Sequence, residues 1–215
     1  EVRIPTLKWW GRPRPAPAFV ERHGLDGAVV GASPFLHGLA ETLGLRFAHV
    51  PDAGPPTTVL RERLERAAKT LRDGAGFVWV HTKAVDEAGH TKDPRNRVAV
   101  LEALDEELAR LGEPPFDAAV VCVTGDHATP AAPEVIHAGD PVPFAVAGPG
   151  VRADDVVRFG ELPCRAGILG HLDGEDVMPV LLNAADRPLF AGSRPTDVPH
   201  AAGHPAGVVA LEVGA

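Results

Sequence analysis

The sequence predicts an α/β fold with a mainly parallel sheet flanked by helices. Segments 27–33, 45–50, 77–81, 117–124 and 141–148 are short and largely apolar, as strands covered on both faces are. Stretches with apolar residues near helical spacing lie between several of them, and alternating strands and helices indicate a parallel sheet. Two acidic motifs also follow directly on such strands, and these sheets gather functional residues at the carboxyl ends of their strands.

Residues 1–18, rich in Pro and Arg and carrying Trp9 and Trp10, read as an extended lead-in. GAVVGAS (27–33) is a buried strand, FLHGLAETLG (35–44) a helix ending at Gly44, and LRFAHV (45–50) the next strand. PDAGPP (51–56) is a loop. In 57–74, Val59, Leu60, Leu64, Ala67, Ala68 and Leu71 fall near helical spacing, and Gly74 marks the end. FVWVH (77–81) is a continuous apolar strand. Asp93-Pro94 supplies an N-cap followed by Pro at the first helical position. The helix from there to Leu111 has apolar residues at Val98, Leu101, Leu104, Leu108 and Leu111. DAAVVCVT (117–124) is expected to be a fully buried strand and PVPFAVAG (141–148) a further one. EDVMPVLLNAAD (175–186) is a helix with Pro179 in its first turn. The poorly defined tail, 196–215, could add an edge strand at 208–213, leaving 1–195 as one domain. No internal repeat is present.

The chain has 215 residues, 45% hydrophobic and 23% charged, enough for a sizeable core. Net charge is −8, and no Lys/Arg run appears, so a nucleic-acid partner is not expected. Nothing favours a membrane surface, and no apolar stretch reaches 18 residues. A phosphorylated substrate would have to be held by local cations and metals. Cys122 and Cys164 carry no disulfide signal, and no signal-peptide pattern opens the chain, so a reducing, cytoplasmic setting is expected. The chain starts at Glu1 and its only Met is Met178, which suggests a fragment, a processed product or part of a longer protein.

Chemistry concentrates in HTKAVDEAGH (81–90), VCVTGDHATP (121–130) and EVIHAGDPVPF (134–144). They carry Asp86, His90, Asp126, His127 and His137. Carboxylates and imidazoles at these spacings suit one or two divalent metals, and paired metals form a standard clamp for phosphoryl transfer. Each piece alone has a plainer reading. Asp86 and His90 could be a helix-face ion pair, and Asp126-His127 a turn cap beside a surface histidine. Together, each beyond an apolar strand, they read as a metal site. Gly89 and Gly125 fit tight turns near a ligand. His81 and Lys83 flank the first motif as candidate substrate-binding residues, Lys83 as a point charge for phosphate. His23, His49, His171, His200 and His204 read as structural or surface residues. Ser33 sits at a strand end but has no neighbouring base and lies outside a G-x-S-x-G elbow.

At these motifs the sequence resembles the cofactor-independent phosphoglycerate mutases of the archaeal type, within the alkaline phosphatase superfamily. The matching stretches are FVWVHTKAVDEAGHTKDPRNRVAVLEALD, VTGDHATP, IHAGDPVPFAVAGPG and RFGELPCRAGILGHLDGEDVMPVLLNAADRPLF, and looser similarity reaches back to about residue 15. The resemblance implies an alkaline-phosphatase-like sheet and two divalent metals, Mn2+ foremost, with Mg2+, Zn2+ or Co2+ as alternatives. It implies Asp86, His90 and His137 as ligands of one metal and Asp126 and His127 as ligands of the other. It implies a serine nucleophile that moves phosphate between the 3- and 2-hydroxyls of phosphoglycerate. The family's N-terminal strand, which bears that Ser and a further Asp, has no match here, and neither has its inserted substrate domain. His37 falls where relatives tend to carry Lys or Arg. The expectation is therefore the C-terminal part of a mutase, inactive alone, partnered by its own N-terminal half or another copy. The alternatives are another hydrolase of the superfamily (a phosphatase, phosphonate hydrolase or sulfatase) or a non-catalytic metal-binding or regulatory module.

Overall fold

A computed structural model describes residues 15–187. The tail 196–215, its suggested strand and most of the lead-in lie outside the described residues.

The elements are α1 (Phe19–His23), β1 (Gly27–Gly31), α2 (Pro34–Thr42), β2 (Arg46–His49), α3 (Pro56–Arg72), β3 (Phe77–Val80), α4 (Ala84–His90), α5 (Pro94–Leu108), β4 (Val121–Thr124), β5 (Phe144–Ala147), α6 (Glu161–Cys164) and α7 (Val177–Ala184). Strands β2, β1 and β3 form a parallel sheet with β1 in the middle, Val29 lying beside Phe47 and Trp79. Alternate residues point to opposite faces. Val30, Ala48, Val78 and Val80 meet Leu60, Leu64 and Ala67 of α3 and Leu104 of α5. Val29, Phe47, Phe77 and Trp79 meet Phe19 of α1, Leu36 and Ala40 of α2, and Leu182 and Met178 of α7. Helices thus cover both faces, and β1 is buried along its whole length.

Local chemistry sets the helix ends. The Ser33 hydroxyl accepts the Leu36 amide at 3.2 Å and caps α2, so this oxygen serves as a helix cap. Asp93 caps α5 by accepting the Arg95 amide. Gly44 and Gly74, at φ 66° and 97°, follow α2 and α3 in the left-handed region where glycine carries no Cβ penalty.

Three expectations change. The segment 117–124 is a strand only from Val121; Phe116–Ala118 is a 3-10 turn that tucks Phe116 into the core. Strand β4 is half-buried rather than fully buried, and it pairs antiparallel with β5 apart from the three-stranded sheet. The physical reason is that, among the described residues, neither the outer edge of β3 nor the second edge of β4 has a ladder partner. Helix α5 stops at Leu108 and continues as a 3-10 turn to Gly112. Its covered face is Val100, Leu104 and Leu108, whereas Val98 and Leu101 lie exposed.

A buried arginine gathers the carboxyl ends of the strands. Arg63 of α3 is 1% exposed; it donates to the carbonyls of Val50, just after β2, and His81, just after β3, and pairs with Asp52 at 2.5 Å. Arg63→Ala should cost about 2–4 kcal/mol in urea unfolding, below the full range for breaking a buried pair because Asp52 stays half-exposed. A change under about 0.5 kcal/mol, the scale of a neutral surface substitution, would contradict this.

Glu107 joins α5 to α3. It is buried, takes Arg61 at 2.5 Å and Arg110 at 2.9 Å, and these hydrogen bonds hold its pKa below the ordinary glutamate value. A depressed carboxyl stabilises the fold above its unfolded pKa, about 4.3, and that stability is lost as pH falls through the lower folded value. Glu107→Gln should therefore lower Tm at pH 7 and flatten the acid limb of the Tm–pH curve below about pH 5. An unchanged acid limb would rule this out.

Candidate metal centre

Helix α4 follows closely on β3, so the carboxyl end of that strand delivers Asp86 and His90 one helical turn apart. His90 Nε2 lies 3.2 Å from Asp86 Oδ1. Asp126 and His127 follow β4. His137 is ten residues further on, and an antiparallel bridge between Ala128 and Ala138, with the Ala138 amide bonded to the Ala128 carbonyl at 3.0 Å, brings it back beside His127. The rings of His127 and His137 lie 4.1 Å apart, and those of His90 and His137 5.1 Å.

Ligand atoms of Asp86, His127 and His137 all lie within 4.8 Å of one another. This tightest group draws His127 in with Asp86 and His137, across the division between two metals that the resemblance implies. The Asp126 side chain is 76% exposed and stands 3.6 Å from His127 Nε2. One carboxylate and three imidazoles with no thiolate make an N/O donor set that fits a first-row divalent ion. Burial works to raise the Asp86 pKa. The Thr129 hydroxyl and the charges of His90, His127 and His137 outweigh it, so the carboxyl is held low and ready to bind a cation.

His81 and Lys83 border this group. Burial pushes the His81 pKa down, while the Asp126 carboxylate pulls it the other way. Burial thus favours the neutral imidazole, within reach of the Asp126 charge. Lys83 is exposed at the start of α4. Cys122 and Cys164 are both free thiols, and burial pushes the pKa of Cys122 up to about 11.

One glycine has a different role from the turn role expected of it. Gly89 lies inside α4; a Cβ there would meet Arg97 Nη2 at 2.5 Å and Thr129 Cγ2 at 2.9 Å. Its smallness admits those side chains. Around Gly125 a Cβ would meet nothing closer than 3.6 Å.

Thr129 is the residue that the spacing of charged groups did not reveal. It is buried, and its hydroxyl donates to Asp86 Oδ1 at 2.8 Å, with the Nδ1 atoms of His137 and His127 at 3.3 and 3.4 Å. The available signal was its place two residues after His127.

The family described as the Metalloenzyme superfamily matches residues 11–184. The 2,3-bisphosphoglycerate-independent phosphoglycerate mutase 2 of Methanocaldococcus jannaschii is 34% identical over 190 residues, 88% of this chain and 41% of that protein. The Methanopyrus kandleri mutase is 37% identical over 176 residues, 79% of this chain and 40% of its own. The chain thus spans about two fifths of the length of these curated relatives. Among solved structures, a Pyrococcus horikoshii protein superposes with a TM-score of 0.73 at 31% identity, over 82% of this chain and 53% of its own. The cofactor-independent phosphoglycerate mutase of Thermoplasma acidophilum gives 0.57 at 30%, over 79% and 38%.

Proposed function

Because this chain belongs to the Metalloenzyme superfamily, we propose that it supplies the divalent-metal part of a cofactor-independent phosphoglycerate mutase, acting in the cytoplasm on 3-phosphoglycerate and 2-phosphoglycerate. The observation that carries the reading is the convergence of Asp86, His127 and His137 at the carboxyl ends of β3 and β4, with His90 and Asp126 beside them. Manganese is the ion we assign, with magnesium, zinc and cobalt also suited to these donors. Bound there, a divalent ion would polarise phosphoryl oxygens and offset developing negative charge.

The chain's own residues prepare the rest. Lys83, exposed at the start of α4, offers a point charge to the substrate phosphate. His81, whose neutral form burial favours, can accept a proton beside Asp126. The Ser33 oxygen is used as a helix cap, which supports assigning the phosphate-carrying hydroxyl to a segment outside this chain. The edges of β3 and β4, without a ladder partner among the described residues, offer a place for such a segment. The ligands that follow β3 and β4 meet in one cluster, so the two strands send their carboxyl ends toward one site. A strand paired in parallel to both would point its own carboxyl end at the exposed Asp126.

Product identity tests the reaction class. The chain can be fused behind the part of the M. jannaschii mutase that it does not match, then given 3-phosphoglycerate and manganese. Phosphorus NMR should show 2-phosphoglycerate growing without inorganic phosphate. Accumulation of inorganic phosphate instead would assign a hydrolase of the same superfamily.

A further inference from the structure

The candidate ligands come from two pieces of the fold that no strand ladder joins among the described residues: α4 behind β3, and the loop between β4 and β5. Something must set the distance between Asp86 on one and His127 and His137 on the other. The cross-connections are few and specific. The Arg97 guanidinium donates to the Thr129 carbonyl. Lys92 Nζ donates to the carbonyls of Pro130 at 3.0 Å and Val135 at 2.6 Å. The Thr129 hydroxyl reaches Asp86, in the space that Gly89 leaves open. Lys92 lies at φ 60°, a left-handed conformation that suits glycine better than lysine. Here the strained residue is also the one whose side chain crosses to the loop.

We propose that Lys92, Arg97 and Thr129 are positioning residues: two cations and a hydroxyl that clamp segment 129–135 onto α4 and the turn that leads from it into α5, and so preset the separation of the metal ligands. Two ammonium bonds and one guanidinium bond to backbone carbonyls are charge-assisted and directional. They hold the loop in which the Ala128–Ala138 bridge sets His127 beside His137. Thr129 orients the Asp86 carboxylate through its hydroxyl, as hydrogen-bonding partners of metal ligands do.

The inference rests on the metal reading of these residues, and cobalt(II) separates the two. Cobalt titrated into the full chain reports affinity, and its visible absorption reports ligand geometry. The unmodified chain should bind cobalt with a defined visible band. Lys92→Gly relieves the backbone strain, so the fold should survive. It should nonetheless weaken cobalt binding by roughly 10–100-fold, the usual cost of losing an outer-shell partner, and shift the band. Thr129→Val should do the same, while Lys92→Arg and Thr129→Ser should recover most of the affinity. If the unmodified chain binds cobalt and Lys92→Gly and Thr129→Val bind it equally well with the same spectrum, the clamp is overturned and the metal reading stands. If the unmodified chain takes up no cobalt, the metal reading fails and the clamp with it.

Discussion

Asp86→Ala should abolish manganese uptake by this chain. Asp86 is the sole carboxylate in the tight group with His127 and His137, and it also holds His90 at 3.2 Å. Its pKa is held low, so it enters the site ionised at neutral pH. Alanine would remove the carboxylate that meets His90 and groups with His127 and His137, and leave the Thr129 hydroxyl without its acceptor. The loss should exceed the roughly 10–100-fold cost of outer-shell changes. In calorimetry the unmodified chain should show at most one manganese site of moderate affinity, because Asp126 and His127 alone are too few for a second closed site. The variant should show none. Two tight, equivalent sites in the unmodified chain, or undiminished binding by Asp86→Ala, would contradict the assignment.

The second large effect concerns catalysis and association together. The chain alone should give no measurable conversion of 3-phosphoglycerate, and it should associate rather than stay monomeric. The edges of β3 and β4, unpaired among the described residues, are templates for pairing. Large apolar side chains also stand out in the stretch after β5: Val157 is 91% exposed, with Leu162 and Ile168 close behind. Such surface on a soluble chain is usually an interface. Supplying the unmatched part of the M. jannaschii mutase in trans should restore some turnover and shift the chain from self-association to a mixed complex. Sedimentation and a coupled mutase assay would follow both. A monodisperse monomer with full turnover would overturn both halves of the prediction, since it would place a competent nucleophile within these 215 residues.

Much of the fold was readable in the residues because its signals are local. The apolar run of β1 implies cover on both faces, and both faces are covered. Asp93-Pro94 and Gly74 mark the ends of helices where the backbone changes course. Asp86 and His90, four apart after an apolar strand, share a helix face by geometry alone. What escaped depends on contacts distant in sequence. A continuous apolar run has no alternation to reveal that β4 pairs antiparallel with β5. Periodicity placed Val98 and Leu101 on an apolar stripe of α5 but could not say which face would be covered. His127 and His137 are ten positions apart along a loop, and the Ala128–Ala138 bridge returns one to the other. Thr129 meets Asp86 across 43 positions, which no spacing rule anticipates.

Crystals of the chain grown with manganese, with diffraction recorded on both sides of the manganese absorption edge, test the central claim most directly. An anomalous peak is expected among Asp86, His127 and His137, about 2 Å from a carboxylate oxygen and imidazole nitrogens, and it should be lost in Asp86→Ala. Peaks only elsewhere on the surface, or none with manganese in excess, would contradict it.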